Sequence, residues 1–351
     1  MGSYISGLGF YVPEQVVTNH DLAQVMETSD EWIQERTGIA ERRYAKRHHE
    51  STASLAAQAA RKAIQNAGLE PSDIDLIIFS TLSPDYFFPG TGVLLQRELG
   101  ITETHCPALD IRAQCSGFIY GMTVADSFSK SGQYKNILVI GSEVHSMGLD
   151  YTTRGRNVTV IFGDGAGAAV VQHSDRADKG ILATCMYSDG TYAEELAFIN
   201  PGCHGGRYGD TAKYGYDDSE PYGGTFITQT MIDSADIFPN MNGQFVFKNA
   251  VRRMPEAVME VLTKTGHQPA DLKLLIPHQA NLRIAGFVQH TLKLRDDQVY
   301  NNIQKYGNTT AASIPIALTE AYELGMISEG DLVCLVSFGS GFTWGAVLIR
   351  W

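Results

Sequence analysis

Long apolar runs alternate along the chain with segments of helical periodicity. Runs such as IDLIIFSTL (74–82) and NILVIGSE (136–143) show no alternation of polar and apolar positions, which is typical of strands buried on both faces of a parallel sheet. The segment 51–68 has the pattern of an amphipathic helix, with Ser51 at its start and Gly68 at its end. This regular alternation predicts an α/β fold in which helices cover both faces of the sheet.

The second half of the chain resembles the first. FGDGAGAAVV (162–171) and FGSGFTWGAV (338–347) share a Phe-Gly-x-Gly start. Their glycine-rich turns predict β-hairpins over 158–172 and 332–350. Each of these segments follows a polar turn, a helix and a buried strand. This self-similarity predicts two copies of one α/β unit, related by an approximate two-fold axis.

The duplication divides the chain into three parts. Residues 1–175 form an N-terminal half and residues 245–351 a C-terminal half. Residues 176–244 supply connecting strands and a long loop. Within that part, the stretch 196–243 is rich in Gly, Tyr and Asp and lacks periodicity, which predicts an elaborated loop or insertion.

Composition and charge narrow the class of protein. The net charge of −12, without a run of Lys or Arg, argues against nucleic-acid binding. No apolar run approaches the ~20 residues that span a bilayer, and the N-terminus lacks the layout of a signal peptide. The five cysteines are scattered and show no CxxC spacing, which argues against a disulfide framework or a metal site. We therefore expect a cytoplasmic protein without membrane insertion.

Three polar turns carry the candidate chemistry. Cys115 opens a helix, where the helix dipole and free N–H groups favour a thiolate. His278 follows a strand in PHQAN, and Asn308 lies in YGNTTAAS, at the turn equivalent to that of Cys115 and facing it near the two-fold axis. Cysteine with histidine supports covalent acyl chemistry, and His with Asn can direct two N–H donors at one enolate oxygen. A backbone N–H within SFGSG (337–341) is a candidate oxyanion donor.

A carboxylate base is not obvious among these turns. A hydrolase would need an activated water. A Claisen condensation that begins with loss of CO2 generates its own carbanion and needs only donors that hold the enolate. The residues alone therefore favour decarboxylative acyl chemistry.

Trp32 and Arg36 lie four positions apart on one face of a predicted short helix. Such a pair can hold a flat ring by stacking and cation–π contact. The alternative is a surface tryptophan packed on the stem of an arginine.

Six motifs give the chain a resemblance to a known family. They are TSDEWIQERTGIAERR (28–43), CSGF (115–118), VIFGDGAGA (160–168), IPHQANLRI (276–284), YGNTTAASIP (306–315) and FGSGFTWGA (338–346). In this order they resemble the β-ketoacyl-acyl-carrier-protein synthases III, which are thiolase-fold condensing enzymes. The resemblance covers nearly the whole chain apart from about 196–240.

The resemblance implies a fold, a reaction and partners. The fold is a five-layer α/β/α/β/α sandwich of two pseudo-symmetric halves, and the protein is a homodimer. The reaction transfers an acyl group from acyl-CoA to a cysteine and then condenses it with malonyl-acyl-carrier protein, without a cofactor or a metal.

The resemblance also implies roles for individual residues. Catalysis is assigned to Cys115, His278 and Asn308. Backbone N–H groups of Cys115 and Ser340 would form the oxyanion hole. CoA and its pantetheine arm would contact Thr28, Trp32, Arg36, Arg156 and Asn281, with Arg156 on the second face of the adenine. Phe88 would shape the acyl pocket across the dimer, and the carrier protein would dock on Lys248, Arg252, Arg253 and Arg283.

Two departures from the family pattern stand out. Ser340 stands where the family has one of the three glycines of an FGGGF run, and His290 and Thr291 stand where two lysines are common. The alternatives on the same fold are a head-to-head condensing enzyme for two acyl-CoAs, a secondary-metabolism acyltransferase and a non-catalytic binding protein. Phe88 stands where the first carries a glutamate, and the complete Cys/His/Asn set argues against the other two.

Overall fold

The computed structural model describes residues 2–101, 106–176, 178–204 and 227–351. The strands of this part are β1 (Gly2–Tyr11), β2 (Gln15–Thr18), β3 (Glu41–Tyr44), β4 (Leu76–Ser80), β5 (Ala108–Ile111), β6 (Asn136–Glu143), β7 (Gly165–Ser174), β8 (Gly180–Ser188), β9 (Leu196–Ala197), β10 (Asn240–Met241), β11 (Leu274–Pro277), β12 (Leu332–Gly339) and β13 (Thr343–Arg350). The α-helices are α1 (Asn19–Ala23), α2 (Asp30–Thr37), α3 (Thr52–Asn66), α4 (Thr91–Leu99), α5 (Gly117–Lys130), α6 (Arg156–Thr159), α7 (Gln229–Asp233), α8 (Gly243–Lys264), α9 (Leu282–Leu292), α10 (Ile303–Tyr306) and α11 (Ser313–Glu323).

The larger sheets share one strand order. The first sheet runs β1-β7-β6-β4-β5, and the second runs β8-β13-β12-β11. At the free edge of β11, Val299 forms a parallel bridge to Leu275, as β5 does along its length with β4. The predicted α/β fold with two pseudo-symmetric halves is confirmed.

Helices separate and cover the sheets in five layers. The apolar faces of α5 and α11 share one buried cluster with residues of both sheets, so these helices form the central layer. On the outer faces, α3 packs on the first sheet and α8 on the second. The contact of α3 is close because Gly7 and Gly9 face it: a Cβ at either position would lie 2.2 or 2.4 Å from a carbonyl oxygen of α3.

The halves correspond position by position. Single turns of 3-10 helix precede α5 and α11, and each begins with a residue of positive φ, Gln114 at 42° and Thr310 at 49°. These two residues are 196 positions apart, as are the starts of β6 and β12. Cys115 is therefore equivalent to Ala311. The predicted equivalence of Cys115 and Asn308 is wrong by three residues, because Asn308 precedes this turn.

The connection between β6 and β7 differs from the prediction. The segment 158–172 is not a hairpin, since its first residues complete α6 and only Gly165 begins a strand. Residues 144–164 thus form a long excursion between two paired strands. The predicted closing hairpin of β12 and β13 is present, with a short turn at 340–342.

The segment 176–244 contributes to the second sheet as well as to a loop. Its strand β8 pairs with β13, while β9 pairs with β10. The central part of the predicted insertion, residues 205–226, lies outside the described residues. Every helix in the described ranges is too short or too polar to cross a membrane.

Candidate active site

Cys115 lies in the turn between β5 and α5, under the end of β12. The hydroxyl of Ser337 donates to the Cys115 carbonyl at 2.8 Å, which ties the turn to β12. Gly339 closes over the side chain: a Cβ there would lie 2.4 Å from Cys115 Cβ and 3.0 Å from Sγ. Only glycine fits at this position, and the cysteine is buried, with 7% of its surface exposed.

The surroundings of the thiol favour its neutral form. Burial raises the pKa of Cys115 to about 12, and the nearby carboxylate of Glu143 acts in the same direction. The backbone N–H groups of Ser340 and of Cys115 itself act in the opposite direction and lower the pKa, as expected at the start of a helix. Burial outweighs them, so the resting form is a neutral thiol and not the thiolate that the start of the helix suggested.

Those N–H groups are the ones that the sequence suggested for an oxyanion hole. Since both N–H groups lower the pKa of the thiol, both lie near the sulfur and are candidates to stabilise an oxygen on a carbon bonded to it. The side chain of Ser340 points elsewhere, since its hydroxyl donates to the carbonyl of Leu196 in β9. The backbone carbonyl of Ser340 accepts a hydrogen bond from Thr343 Oγ1 at 3.0 Å.

His278 follows β11 and is held at both ends. Its backbone N–H donates to the carbonyl of Val336 at 2.8 Å. Its Nδ1 lies 2.6 Å from Ser313 Oγ, whereas Nε2 is buried and has no hydrogen-bond partner among the described residues. Burial lowers the pKa of His278 to about 3, so the ring is neutral near pH 7. Its Nε2 is therefore available to form a hydrogen bond with a ligand.

Asn308 is fixed through its backbone and its side-chain oxygen. Its N–H donates to Ile161 at 2.8 Å, and its carbonyl accepts from Gly163 at 3.0 Å. Its Oδ1 accepts from the N–H of Thr310 at 2.8 Å. The hydrogens of Nδ2 have no acceptor in the described part of the chain, so they are available to a ligand.

A second buried histidine supports Thr310. His145 Nε2 lies 2.8 Å from Thr310 Oγ1, and its ring packs against Phe162 at 4.7 Å between centroids. Burial lowers the pKa of His145 to about 3. This contact holds Thr310 in the left-handed conformation from which its N–H reaches Asn308.

Packing contacts and hydrogen bonds between neighbouring elements bring the three predicted catalytic residues together. The turn Thr310–Ala312 packs against the turn Gln114–Ser116. The next residue along the chain, Ser313, touches His278. On the other side, Ser337 bonds to Cys115 while its neighbour Val336 bonds to His278. Cys115, His278 and Asn308 therefore surround one centre where the halves meet.

Glu143 is a buried carboxylate beside this centre that the sequence did not single out. Its oxygens accept from the hydroxyls of Thr81 and Ser83 at 2.9 and 2.6 Å and from the N–H groups of Leu82 and Ser83. Burial raises the pKa of Glu143 to about 7. Because its oxygens are engaged, the residue organises the 81–83 loop. Its position at the end of a buried strand was the only signal in the sequence.

The predicted CoA residues form a cluster around Trp32. The guanidinium groups of Arg36 and Arg156 lie 4.4 and 5.0 Å from its ring centroid. Asn281 donates to the Arg36 carbonyl at 2.8 Å. The hydroxyl of Thr28 is buried and finds no partner among the described residues. Four of the five residues that the sequence assigned to this site are thus in contact, and Thr28 follows Glu27, whose carbonyl accepts from Arg156 at 2.6 Å.

Phe88 and the basic residues lie on the surface at different sites. Phe88 is 81% exposed in the loop that precedes α4. Arg252 and Arg253 both pair with Glu256, at 3.1 and 3.6 Å. Arg253 also lies 4.5 Å from the ring of Trp344, and its side chain is only 25% exposed. Because of these contacts, the guanidinium of Arg253 is less accessible to an acidic partner than the sequence suggested.

Known proteins match over the whole chain. A family model for 3-oxoacyl-[acyl-carrier-protein] synthase III matches residues 109–190, and its C-terminal counterpart matches residues 262–351. The β-ketoacyl-[acyl-carrier-protein] synthase III of Aquifex aeolicus is 45% identical over 352 residues, covering 100% of both chains. That of Caldanaerobacter subterraneus is 43% identical over 349 residues, covering 99% of this chain and 97% of the relative. A crystal structure of the Aquifex aeolicus 3-oxoacyl synthase III superposes with a TM-score of 0.85 at 44% identity, covering 100% of both chains.

The doubled α/β unit, with a cysteine, a histidine and an asparagine where its copies meet, defines a thiolase-fold condensing enzyme. Such enzymes are acyltransferases. Within that class, the chain belongs to the β-ketoacyl-acyl-carrier-protein synthase III family.

Proposed function

We propose that the enzyme moves an acyl group from acyl-CoA to Cys115 and condenses it with malonyl-acyl-carrier protein. The observation that carries this proposal is the set of hydrogen-bonding groups around one buried thiol. These are two backbone N–H groups at the sulfur, Nε2 of His278 and Nδ2 of Asn308. Since the only buried carboxylate described beside the thiol, Glu143, is engaged by the 81–83 loop, the site suits a carbanion formed by loss of CO2.

In the first step the Cys115 sulfur attacks the thioester carbon of acyl-CoA. The carbonyl oxygen becomes an oxyanion, which the N–H groups of Cys115 and Ser340 stabilise. When the carbon–sulfur bond to CoA breaks, the thiol proton ends on the CoA sulfur. The acyl group stays on Cys115, and no cofactor or metal takes part.

In the second step the malonyl thioester loses CO2. The electron pair of the broken carbon–carbon bond passes to an enolate, whose oxygen accepts from His278 and Asn308. The enolate carbon uses that electron pair to form a bond to the acyl carbon, the bond from the acyl carbon to Sγ breaks, and the Cys115 thiolate leaves with the electrons of the broken carbon–sulfur bond. The product is a β-ketoacyl-acyl-carrier protein, and the thiolate takes up a proton to restore the resting thiol.

The partners follow from surfaces of the chain. The ring of Trp32, with Arg36 and Arg156 against it, suits the adenine of CoA, and Thr28 and Asn281 suit the rest of that ligand. Lys248, Arg252 and Arg283 suit an acidic carrier protein, with a smaller part for Arg253. No disulfide joins the five cysteines, all within the described residues, which fits the cytoplasm.

The reaction is tested with purified protein. Incubation with acyl-CoA is expected to add one acyl group, seen by intact mass, and Cys115→Ala should remain unlabelled. Addition of malonyl-acyl-carrier protein should then convert the label into β-ketoacyl-carrier product. Loss of the acyl group as free acid, without that product, would contradict the condensation and point to a hydrolase.

A further inference from the structure

Ser313 holds a position from which it can decide where the proton of His278 resides. It is the first residue of α11 and is 2% exposed. Its Oγ lies 2.6 Å from His278 Nδ1. It also accepts a hydrogen bond from the backbone N–H of Gln279 at 3.3 Å. One hydroxyl thus meets both the ring and the backbone of the turn that follows β11.

The neighbours of the histidine allow only a neutral ring with one N–H. Burial depresses its basicity, and no carboxylate bonds to either ring nitrogen among the described residues. The proton is therefore on Nδ1 or on Nε2. A ring with the proton on Nδ1 would present Nε2 as an acceptor, and one with the proton on Nε2 would present a donor.

The available hydrogen-bond donors and acceptors select between the two tautomers. The hydroxyl of Ser313 has one hydrogen to donate, and His278 Nδ1 is the only acceptor that the described residues offer it. If Nδ1 carried the proton, Ser313 would accept from Gln279 and from His278 while its own hydrogen stayed buried without a partner. If Ser313 donates to Nδ1, every group in the cluster is satisfied except Nε2–H, which has no partner among the described residues and is left for a ligand.

We infer that Ser313 is a positioning residue that fixes His278 as the Nε2–H tautomer. It makes the imidazole a hydrogen-bond donor before any substrate arrives. This inference rests on the enolate-holding role proposed for His278. It adds that this donor is set by a hydroxyl 35 positions away in sequence.

The first test reads the tautomer directly. The wild-type protein is labelled with 15N-histidine, and the His278 signal is assigned by its absence in His278→Gln. The expected spectrum shows the proton on Nε2. In Ser313→Ala the signal should shift towards the Nδ1–H form or an average of both, and Ser313→Thr, which keeps the hydroxyl, should restore the wild-type pattern.

The second test reads the half-reactions separately. In Ser313→Ala, condensation with malonyl-acyl-carrier protein should slow roughly 10-fold, less than the ~100-fold that follows deletion of an oxyanion donor. Acylation of Cys115 and KM for acyl-CoA should not change. The matched control is Thr319→Val, which removes another buried hydroxyl of α11, one that donates to the Pro315 carbonyl. It should behave as wild type in both assays.

The outcomes separate this inference from the proposed function. A wild-type spectrum with the proton on Nδ1, or Ser313→Ala with unchanged tautomer and rate, would overturn the role of Ser313 while leaving the condensation intact. If His278→Gln kept full condensation, the proposed role of His278 would fail, whatever the tautomer. Should Ser313→Ala not fold, the wild-type spectrum still decides, since a proton on Nδ1 would overturn the inference.

Discussion

At the scale of single residues, the centre combines a thiol, two neutral histidines and one buried acid. Each is shifted towards its uncharged form by burial. Uncharged groups cost less to bury than ions, and they become strong donors or acceptors when a substrate closes the site against water. The site is therefore prepared for charge that arises during the reaction, on the thioester and enolate oxygens.

Glu143 gives this arrangement a pH signature. Its pKa in the folded protein is about 7, against an ordinary value of 4.5. Between these values the unfolded carboxyl loses its proton while the folded one keeps it. Glu143 therefore makes its full contribution to the free energy of unfolding below pH 4.5. This contribution, roughly 3 kcal/mol, is lost as the pH rises through 7.

The variant Glu143→Gln should remove this dependence. The free energy of unfolding of both proteins is measured with denaturant from pH 4.5 to 7.5. The value for the variant minus the value for the wild type should increase as the pH rises. Loss of the negative charge should also lower the pKa of Cys115 and speed its alkylation. If the wild type and the variant trace parallel stability curves, Glu143 does not titrate in this range.

At the scale of elements, the site depends on close contact between the turns that precede α5 and α11. Gly141 in β6 makes this contact possible: a Cβ there would lie 2.2 Å from the carbonyl oxygen of Ala311. A backbone carbonyl cannot swing aside as the end of a flexible side chain can. Any side chain at position 141 must therefore push the turn of the second half away from the first.

Gly141→Ala should destabilise the protein by about 1–3 kcal/mol and reduce condensation more than that loss of folded protein explains. Gly286→Ala is the control, because no atom lies within 4 Å of a Cβ at that position of α9. It should be neutral or stabilising by up to about 1 kcal/mol. Equal melting temperatures for the two variants would show that the turns tolerate separation.

The sequence predicted the elements better than their connections. Buried strands and the two halves could be predicted because apolar runs are a local signal. The excursion after β6 could not, since FGDGAG has the composition of a hairpin turn although Gly165 only begins a strand. The contacts of His145 and Ser313 could not be predicted either, because they join residues 165 and 35 positions apart and depend on the packing of the halves.

At the scale of the whole molecule, the first sheet ends in an exposed strand. β5 is the last strand in its order, and the described residues place no strand beyond it. Near this edge lies a set of exposed apolar side chains, the edge patch, formed by Tyr86, Phe88, Val93 and Leu109. A free strand edge beside such a patch is typical of a surface that a second copy covers. In the homodimer that the family resemblance implies, β5 is therefore expected to pair with its counterpart.

This dimer would complete the acyl pocket. Phe88 is 81% exposed, so its side chain is available to contact a partner subunit. In the dimer, the partner subunit's Phe88 would line the pocket beside Cys115. Dimerisation and acylation should therefore fail together when the edge patch is changed.

Leu109→Lys tests this coupling, because Leu109 is 40% exposed on β5 and a lysine places a charge at the paired edge. By light scattering, the wild type should have twice the chain mass of 38.4 kDa, and the variant should shift towards a single chain. Acylation of Cys115 should fall with it and recover at high protein concentration. Leu324→Lys is the control, since Leu324 is 63% exposed just after α11, away from the edge patch, and its variant should remain dimeric and active. A monomeric wild type, or a monomeric Leu109→Lys with full acylation, would show that the acyl pocket is complete within one chain.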